Sequence, residues 1–147
     1  MNRIRNNKGF SLIELAIGIA VVTILILGVA ASGGIRDNAR IQAAAGSVRT
    51  LRSAAENYLS NGNLNFSGLS VAALQSTNLL PINFDPTNSN PWGLSFGIAP
   101  NSSDNTRFDI TMNVPKKSQA DKLSTYFKSS AASSAYDESK ATWTATF

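Results

Sequence analysis

Residues 8–15 read KGFSLIEL, and they mark the point where a short basic segment gives way to a long apolar one. Between Gly9 and Ile35 the only charged residue is Glu14. A charge near the middle of a bilayer costs at least about 2.5 kcal/mol, and somewhat less near the end of a membrane helix. A carboxylate at this place therefore indicates that something uses its charge. The basic residues that precede it are Arg3, Arg5 and Lys8.

The apolar segment is long enough to cross a membrane. Its uncharged part, residues 15–35, has about 21 residues, and a spanning helix needs roughly 20 residues to cover about 30 Å. A secretory signal peptide would have a shorter apolar core that ends in a small-residue cleavage site. The sequence therefore predicts a transmembrane helix over residues 10–35. The basic residues before it place its N-terminal end in the cytoplasm by the positive-inside rule.

The residues at this junction resemble the processing site of type IV pilins and of the related type II secretion pseudopilins. The resemblance is carried by the pattern Gly9-Phe10-Ser11-Leu12-Ile13-Glu14 after a short basic segment. It implies that residues 1–9 are a leader peptide, which a membrane peptidase removes by cutting after Gly9. It also implies that Phe10, the new N-terminal residue, is N-methylated, and that Glu14 is the glutamate five residues into the mature chain.

The charge of Glu14 has a physical role in such a chain. Cleavage after Gly9 would create an ammonium group on Phe10, one helical turn before Glu14. In a staggered bundle of helices, Glu14 of one subunit could neutralise the terminal ammonium of its neighbour. Because unpaired charges in an apolar medium are heavily penalised, this pairing would set the axial register of assembly. The alternative is that Glu14 only reaches the lipid headgroups from near the helix end.

Helical periodicity continues beyond the apolar segment. Apolar residues recur at three- and four-residue steps from Ile41 to Leu59, which predicts an amphipathic continuation over residues 36–61. Asn61-Gly62-Asn63 supplies a stop signal. A helix of roughly 50 residues is unusual in a globular domain. It is explained if its first half packs among other subunits and its second half packs under its own head.

Three glycines lie near the junction of the two halves: Gly28, Gly33 and Gly34. Many members of the resembled family carry a proline about here, where this chain has Ala31. Glycine inside a helix costs about 1 kcal/mol relative to alanine. We therefore predict that these glycines allow a bend or local melting of the helix. The alternative is that they only permit close approach between helices.

Four arginines follow in the second half of the helix: Arg36, Arg40, Arg49 and Arg52. Asp37 and Glu56 lie among them. The simplest interpretation is a solvated and partly paired helix face. The alternatives are contacts with acidic lipid headgroups before assembly, or with acidic patches on neighbouring subunits.

Residues 62–147 are predicted to form a small α+β head. Ser70 can cap a short helix that runs to Gln75, and a second helix is expected over about Lys116–Ser130. Alternating apolar residues predict three strands, and an antiparallel sheet of these strands could pack on the second half of the long helix. The predicted fold class is α+β, a long N-terminal α-helix packed against a small antiparallel β-sheet head. The apolar strand positions are Leu94, Phe96 and Ile98; Phe108, Ile110, Met112 and Val114; and Trp143, Ala145 and Phe147.

This head resembles the larger type IVb pilin heads, including those of conjugative thin pili. The chain departs from that pattern in its short leader and in lacking the cysteine pair common near the C-terminus of that subtype. Without that pair, we expect packing and strand pairing of Trp143 and Phe147 to hold the C-terminal region.

The composition excludes much chemistry. Cysteine and histidine are both absent, which removes disulfides, Cys and Ser–His nucleophiles, and His or Cys metal sites. No enzyme activity, cofactor or metal is predicted. Four oxygen donors in loops could bind Ca²⁺, but their spacing matches no EF-hand, and such residues are common in turns. They are Asp85, Asn88, Asn90 and Asp104.

The charge balance argues against nucleic acid as a direct partner. The 13 basic and 9 acidic residues become 10 and 9 when the three basic residues of the leader are removed. The net charge of +4 therefore falls to +1, and the basic footprint that nucleic-acid binding needs is missing from the mature chain.

The resemblance implies a structural pilin subunit. It would be an inner-membrane precursor with a cytoplasmic N-terminus and then part of an extracellular type IV pilus, a homo-oligomeric filament. Its implied partners are a prepilin peptidase/methyltransferase, an inner-membrane assembly platform, the membrane before assembly, and further copies of the chain. Adhesion, motility, DNA transfer or conjugation would be properties of the filament. The alternatives are a type II secretion pseudopilin or a minor pilin. A membrane-anchored enzyme or binding module would have only carboxylates to use.

Overall fold

The computed structural model describes residues 12–88 and 90–147. In this part of the chain the elements are α1 (Leu12–Ser60), α2 (Val71–Ser76), β1 (Phe96–Pro100), β2 (Phe108–Asn113), α3 (Lys117–Phe127), β3 (Ser133–Asp137) and β4 (Thr142–Thr146). The fold is α+β, with a long N-terminal helix and an antiparallel sheet, as the sequence predicts. The chain divides into an N-terminal unit, Met1–Arg36, and a C-terminal unit, Asp37–Phe147.

The long helix α1 ends at Ser60, where the sequence predicts its end. Gly62, two residues later, has a φ of 94°, in the left-handed region that favours glycine at a helix end. Its N–H donates to the carbonyl of Leu59 at 3.2 Å. The stop signal in the sequence therefore acts through a turn that only a residue without Cβ adopts easily.

Within the C-terminal unit, α1 buries one face. The buried residues recur at three- and four-residue steps, which confirms the predicted amphipathic face. Three of the buried alanines are fully covered, and their small side chains leave room for large residues of the sheet in one continuous core. The buried residues are Ile41, Ala44, Ala45, Val48, Leu51, Ala54, Ala55 and Tyr58.

The sheet has the strand order β1-β2-β4-β3, and every neighbouring pair is antiparallel. Residues of β1, β2 and β4 alternate between the core and the surface, as the sequence predicts. Leu94 was expected as the first core residue of β1, and this is wrong. Its side chain is 38% exposed, and its N–H is held in a turn by the side chain of Asn90 at 2.9 Å.

The strand β3 is absent from the sequence prediction. Its residues Ser133–Asp137 lie at one edge of the sheet, and all but Tyr136 are exposed. An edge strand with no inward apolar series carries no alternating pattern that could reveal it. The second helix was also expected to reach Ser130, but α3 ends at Phe127 and a turn follows.

The C-terminal region is held by pairing and packing, which confirms that prediction. Phe147 and Phe108 exchange backbone hydrogen bonds of 2.9 and 3.1 Å, and their rings stack with centroids 5.7 Å apart. The indole Nε1 of the fully buried Trp143 donates to the Ser124 hydroxyl at 2.9 Å. Aromatic contacts and strand pairing therefore hold the terminal strand in this cysteine-free chain.

Candidate functional site

The residues predicted for processing and assembly are Gly9, Phe10 and Glu14. Gly9 and Phe10 lie outside the described residues, and Glu14 lies within α1. Cleavage after Gly9, N-methylation of Phe10 and the register role of Glu14 remain predictions.

Aliphatic side chains are exposed along the part of α1 that belongs to the N-terminal unit. Their exposed fractions run from 50% at Val21 to 71% at Ile35. Exposed apolar surface of this kind is typical of a segment that contacts a membrane or other chains. The residues concerned are Ile13, Ile19, Val21, Val22 and Ile35.

Within the part of the chain that the structure describes, no helix has the length and hydropathy needed to cross a membrane. The transmembrane assignment of residues 10–35 stays a prediction.

The three glycines of the predicted flexible segment, Gly28, Gly33 and Gly34, all lie inside α1. At Gly34 an added Cβ would meet no atom within 4 Å. An alanine therefore fits at that position of the helix without steric conflict, although the flexibility assigned to this segment is still a prediction.

The arginine cluster separates into two groups with different surroundings. The guanidinium of Arg49 lies 4.8 Å from the ring centroid of Tyr126 in α3. Arg52 contacts Glu56 at 2.8 Å and lies 5.1 Å from the ring centroid of Phe147. Cation–π contacts of this kind contribute about 0.5–1 kcal/mol at exposed sites. Arg49 therefore joins α1 to α3, and Arg52 joins α1 to the last residue of the chain, directly after β4.

The other two arginines lie toward the N-terminal side of the cluster. Arg36 and Arg40 are exposed, and neither forms an ion pair or a side-chain hydrogen bond with the described residues. Two lysines, one at the N-cap of α3 and one within α3, contact residues 37 and 38 of α1. Lys122 Nζ donates to Asn38 Oδ1 at 2.9 Å, and Lys116 Nζ lies 4.0 Å from Asp37 Oδ2. Positive charge therefore collects at the first turn of α1 in the C-terminal unit.

Three aspartates build tight turns from the same local motif. In each, one carboxylate oxygen accepts a hydrogen bond from both the backbone N–H and the hydroxyl of the Ser or Thr two residues later. The pairs are Asp85 with Thr87, Asp104 with Thr106, and Asp137 with Ser139. The hydroxyl hydrogen bond is the main reason that the pKa of each carboxyl is lowered from its usual value.

The four oxygen donors that could bind Ca²⁺ by sequence have hydrogen-bonding roles in turns. Asp85 and Asp104 each bind their own turn, and Asn88 donates to Asp85 at 3.3 Å. Asn90 is buried and uses its side chain on the backbone of the 90–95 turn. Among the described residues, no three acidic side chains lie close enough together to hold a metal ion.

Sequence reasoning missed the meeting of Lys116 and Lys122 with α1. Lys122 and Asn38 are 84 residues apart, so no local pattern could bring them together. The only signal was the pair Lys116-Lys117 at the start of a helix, where the helix dipole disfavours positive charge.

Comparison with known protein families bears on the N-terminal segment. Residues 4–30 match the family model of the prokaryotic N-terminal methylation motif. This motif is the class III signal of type IV pilins, so the chain carries the N-terminal signal of a type IV pilin-like prepilin or pseudopilin. The match does not extend to the head, and the type IVb subtype remains a prediction. A search of curated proteins finds no match to the chain.

Proposed function

We propose that this chain is a type IV prepilin. In this proposal it is cleaved after Gly9, N-methylated on Phe10, and polymerised into an extracellular filament. Its role is structural rather than catalytic. The observation that carries the proposal is the match of residues 4–30 to the N-terminal methylation motif.

The division of the chain supports a polymerising role. Residues 37–147 form a compact unit with its own core, so the head can keep its structure while the N-terminal segment changes its surroundings. The aliphatic side chains exposed on α1 between Ile13 and Ile35 are suited first to a bilayer and then to a bundle of neighbouring helices. Each apolar square ångström removed from water contributes about 25 cal/mol, and this favours both states over an aqueous monomer.

Glu14 gives the polymer its register in this proposal. In a bundle the carboxylate would lie among apolar side chains, where it is stable only when paired. The new ammonium on Phe10 of a neighbouring subunit is the nearest cation that processing creates. Helices would therefore add at the axial offset that brings these two groups together.

The partners follow from this life cycle. They are a prepilin peptidase/methyltransferase, an inner-membrane assembly platform, the membrane itself, and further copies of the chain. The precursor would lie in the inner membrane with its N-terminus in the cytoplasm, and the mature chain would lie in the surface filament.

Mass spectrometry of filaments sheared from the cell surface tests the proposal. We expect a mature chain that starts at N-methylated Phe10 and that dominates the sheared fraction. A full-length N-terminus in assembled filaments would contradict the proposal. A processed chain that stays in the envelope or is a trace component would instead identify a pseudopilin or a minor pilin of the same assembly family.

A further inference from the structure

Three exposed basic side chains either belong to residues 37–40, the first turn of α1 in the C-terminal unit, or contact it. Lys116, at the N-cap of α3, contacts Asp37, and Lys122, within α3, contacts Asn38. Arg40 is exposed on the turn itself. We call Arg40, Lys116 and Lys122 the basic patch.

Positive charge is in excess at the basic patch. Among the described residues, one carboxylate lies within 4.0 Å of a cation of the basic patch: Asp37 Oδ2, which is 4.0 Å from Lys116 Nζ. Asp121 is next to Lys122 in sequence, but successive helix residues point about 100° apart, and the two form no ion pair. Three other exposed cations each form an ion pair: Arg107 with Asp104, Lys117 with Glu138, and Lys140 with Asp137.

Helix stability does not explain the lysines at this place. Lys116 occupies the N-cap of α3 and makes no side-chain capping hydrogen bond, although Ser, Thr, Asp and Asn are the stabilising residues there. Lys117 follows it, and the first turn of α3 contains no acidic residue to offset the helix dipole. The positive charge is therefore unfavourable for α3 itself.

The basic patch lies close in the chain to the proposed membrane segment. Arg40 follows Ile35 by five residues, a rise of about 8 Å in an α-helix. The polar headgroup layer on each side of a bilayer is about 5–8 Å thick. Arg40 is therefore within reach of headgroups when residues 10–35 span the bilayer.

We propose that the basic patch binds the anionic phospholipid headgroups of the membrane that holds the precursor, an inference that rests on the proposed function. Each Lys or Arg near an anionic surface strengthens binding about fivefold. The N-terminal segment already keeps the head at the membrane, so three such residues shift the orientation of the head rather than supply its attachment. The patch thereby holds the head against the bilayer before assembly.

The absence of cysteine makes a single-label experiment possible. Ser118 and Ser102 are both exposed and make no side-chain hydrogen bond. Ser118 is one helical turn from Lys122, on the same face of α3, whereas Ser102 lies in the β1–β2 turn. A fluorophore on Ser118→Cys reports the basic patch, and one on Ser102→Cys is the positional control. The full-length chain is placed in vesicles of phosphatidylcholine, with or without an equal part of phosphatidylglycerol.

Quenching by a headgroup-labelled lipid is the measurement. We expect quenching at position 118 to rise several-fold when phosphatidylglycerol is present and to fall back in about 1 M salt, where the screening length is about 3 Å. The variant R40Q/K116Q/K122Q should lose this increase. The matched variant R107Q/K128Q/K140Q removes the same charge elsewhere and should keep it. Quenching at position 102 should be the same in vesicles with and without phosphatidylglycerol.

Several results would overturn the inference. Equal quenching at position 118 in both kinds of vesicle, or equal loss in the two triple variants, would show that the basic patch does not bind anionic lipid. A change in fluorescence at position 118 that depends on the protein density in the vesicle, and not on lipid charge, would show that the basic patch binds a second copy of the chain instead. Resistance to alkaline extraction reports insertion separately, and a chain that does not insert would overturn the proposed function as well.

Discussion

The side-chain amide of Asn90 donates a 2.8 Å hydrogen bond to the backbone carbonyl of Asn113, 23 residues away. Asn90 is 4% exposed, and its carbonyl oxygen accepts from the N–H groups of Trp92 and Leu94, each at 2.9 Å. One buried side chain therefore ties the turn before β1 to the end of β2.

Replacing Asn90 with alanine should lower the free energy of unfolding by about 3 kcal/mol, since it removes several hydrogen bonds of a buried side chain and leaves partly buried backbone groups unsatisfied. Urea-induced unfolding of the purified chain measures this. Asn88 is an exposed control in the preceding turn, where its amide contacts Asp85, and N88A should change stability by no more than about 0.5 kcal/mol. Equal effects of the two substitutions would contradict the role given to Asn90.

Gly97 and Thr111 are directly opposed on β1 and β2, and a Cβ at Gly97 would lie 2.5 Å from the Thr111 hydroxyl oxygen. The substitution G97A should therefore destabilise the chain by about 1–2 kcal/mol through overpacking. T111A removes that oxygen, so the double variant should recover most of the loss. A double-mutant cycle in urea measures the coupling, and additive effects would mean that the crowding arises elsewhere.

The three aspartate turns predict a loss of stability in acid. The pKa of Asp85, Asp104 and Asp137 is lowered in the folded chain from an ordinary value of 3.8. The ionised carboxylates therefore add their full contribution to the free energy of unfolding above pH 3.8. This contribution is lost as the pH falls through the lower pKa of the folded chain. Urea midpoints should fall as the pH drops below about 4. Replacing all three by asparagine, which keeps an acceptor oxygen but does not titrate, should flatten this dependence, and an unchanged slope would rule the turns out as its source.

The register role of Glu14 predicts a specific assembly defect. E14A should leave membrane insertion and cleavage after Gly9 largely intact, but it should reduce incorporation into filaments to a trace because the ammonium on Phe10 loses its partner. Immunoblots of membrane and sheared fractions measure both steps. The variant E56A removes an exposed glutamate from the same helix and should assemble normally. Filaments of normal length and amount from E14A would refute the register role.

Processing predicts a separate defect. G9V places a branched side chain at the proposed cleavage position and should leave the full-length precursor in the membrane. The expected result is a mass spectrum of the membrane fraction in which the chain still carries residues 1–9. Normal cleavage in this variant would mean that the peptidase cuts at another position.

Much of the fold was predictable because the signals are local. The periodic apolar face of α1 from Ile41 to Tyr58, its end near Gly62 and the Ser70 cap of α2 are all found in the structure. The Ser70 hydroxyl accepts from the Ala73 N–H at 3.1 Å, as an N-cap should. Each of these features depends on residues within a few positions of one another, so pattern and structure agree.

The strand β3 and the position of Leu94 were not predictable in this way. Ser133–Asp137 becomes a strand because β4 offers it an open edge, and its own residues have little apolar character. Leu94 lies outside β1 because the distant anchor of Asn90 on Asn113 keeps the 90–95 turn closed. Both outcomes depend on partners that a local pattern does not contain.

The sequence by itself determined the N-terminal signal, the helical face and the α+β class, because each is written in the spacing of neighbouring residues. The tertiary structure alone decided which arginines are engaged and which are left exposed. Arg49 and Arg52 lie against the rings of Tyr126 and Phe147, while Arg40 is exposed two residues after Asn38, which Lys122 contacts. Charges separated by many residues act together only after folding brings them within a few ångströms, since Coulomb interactions in water weaken quickly beyond that range.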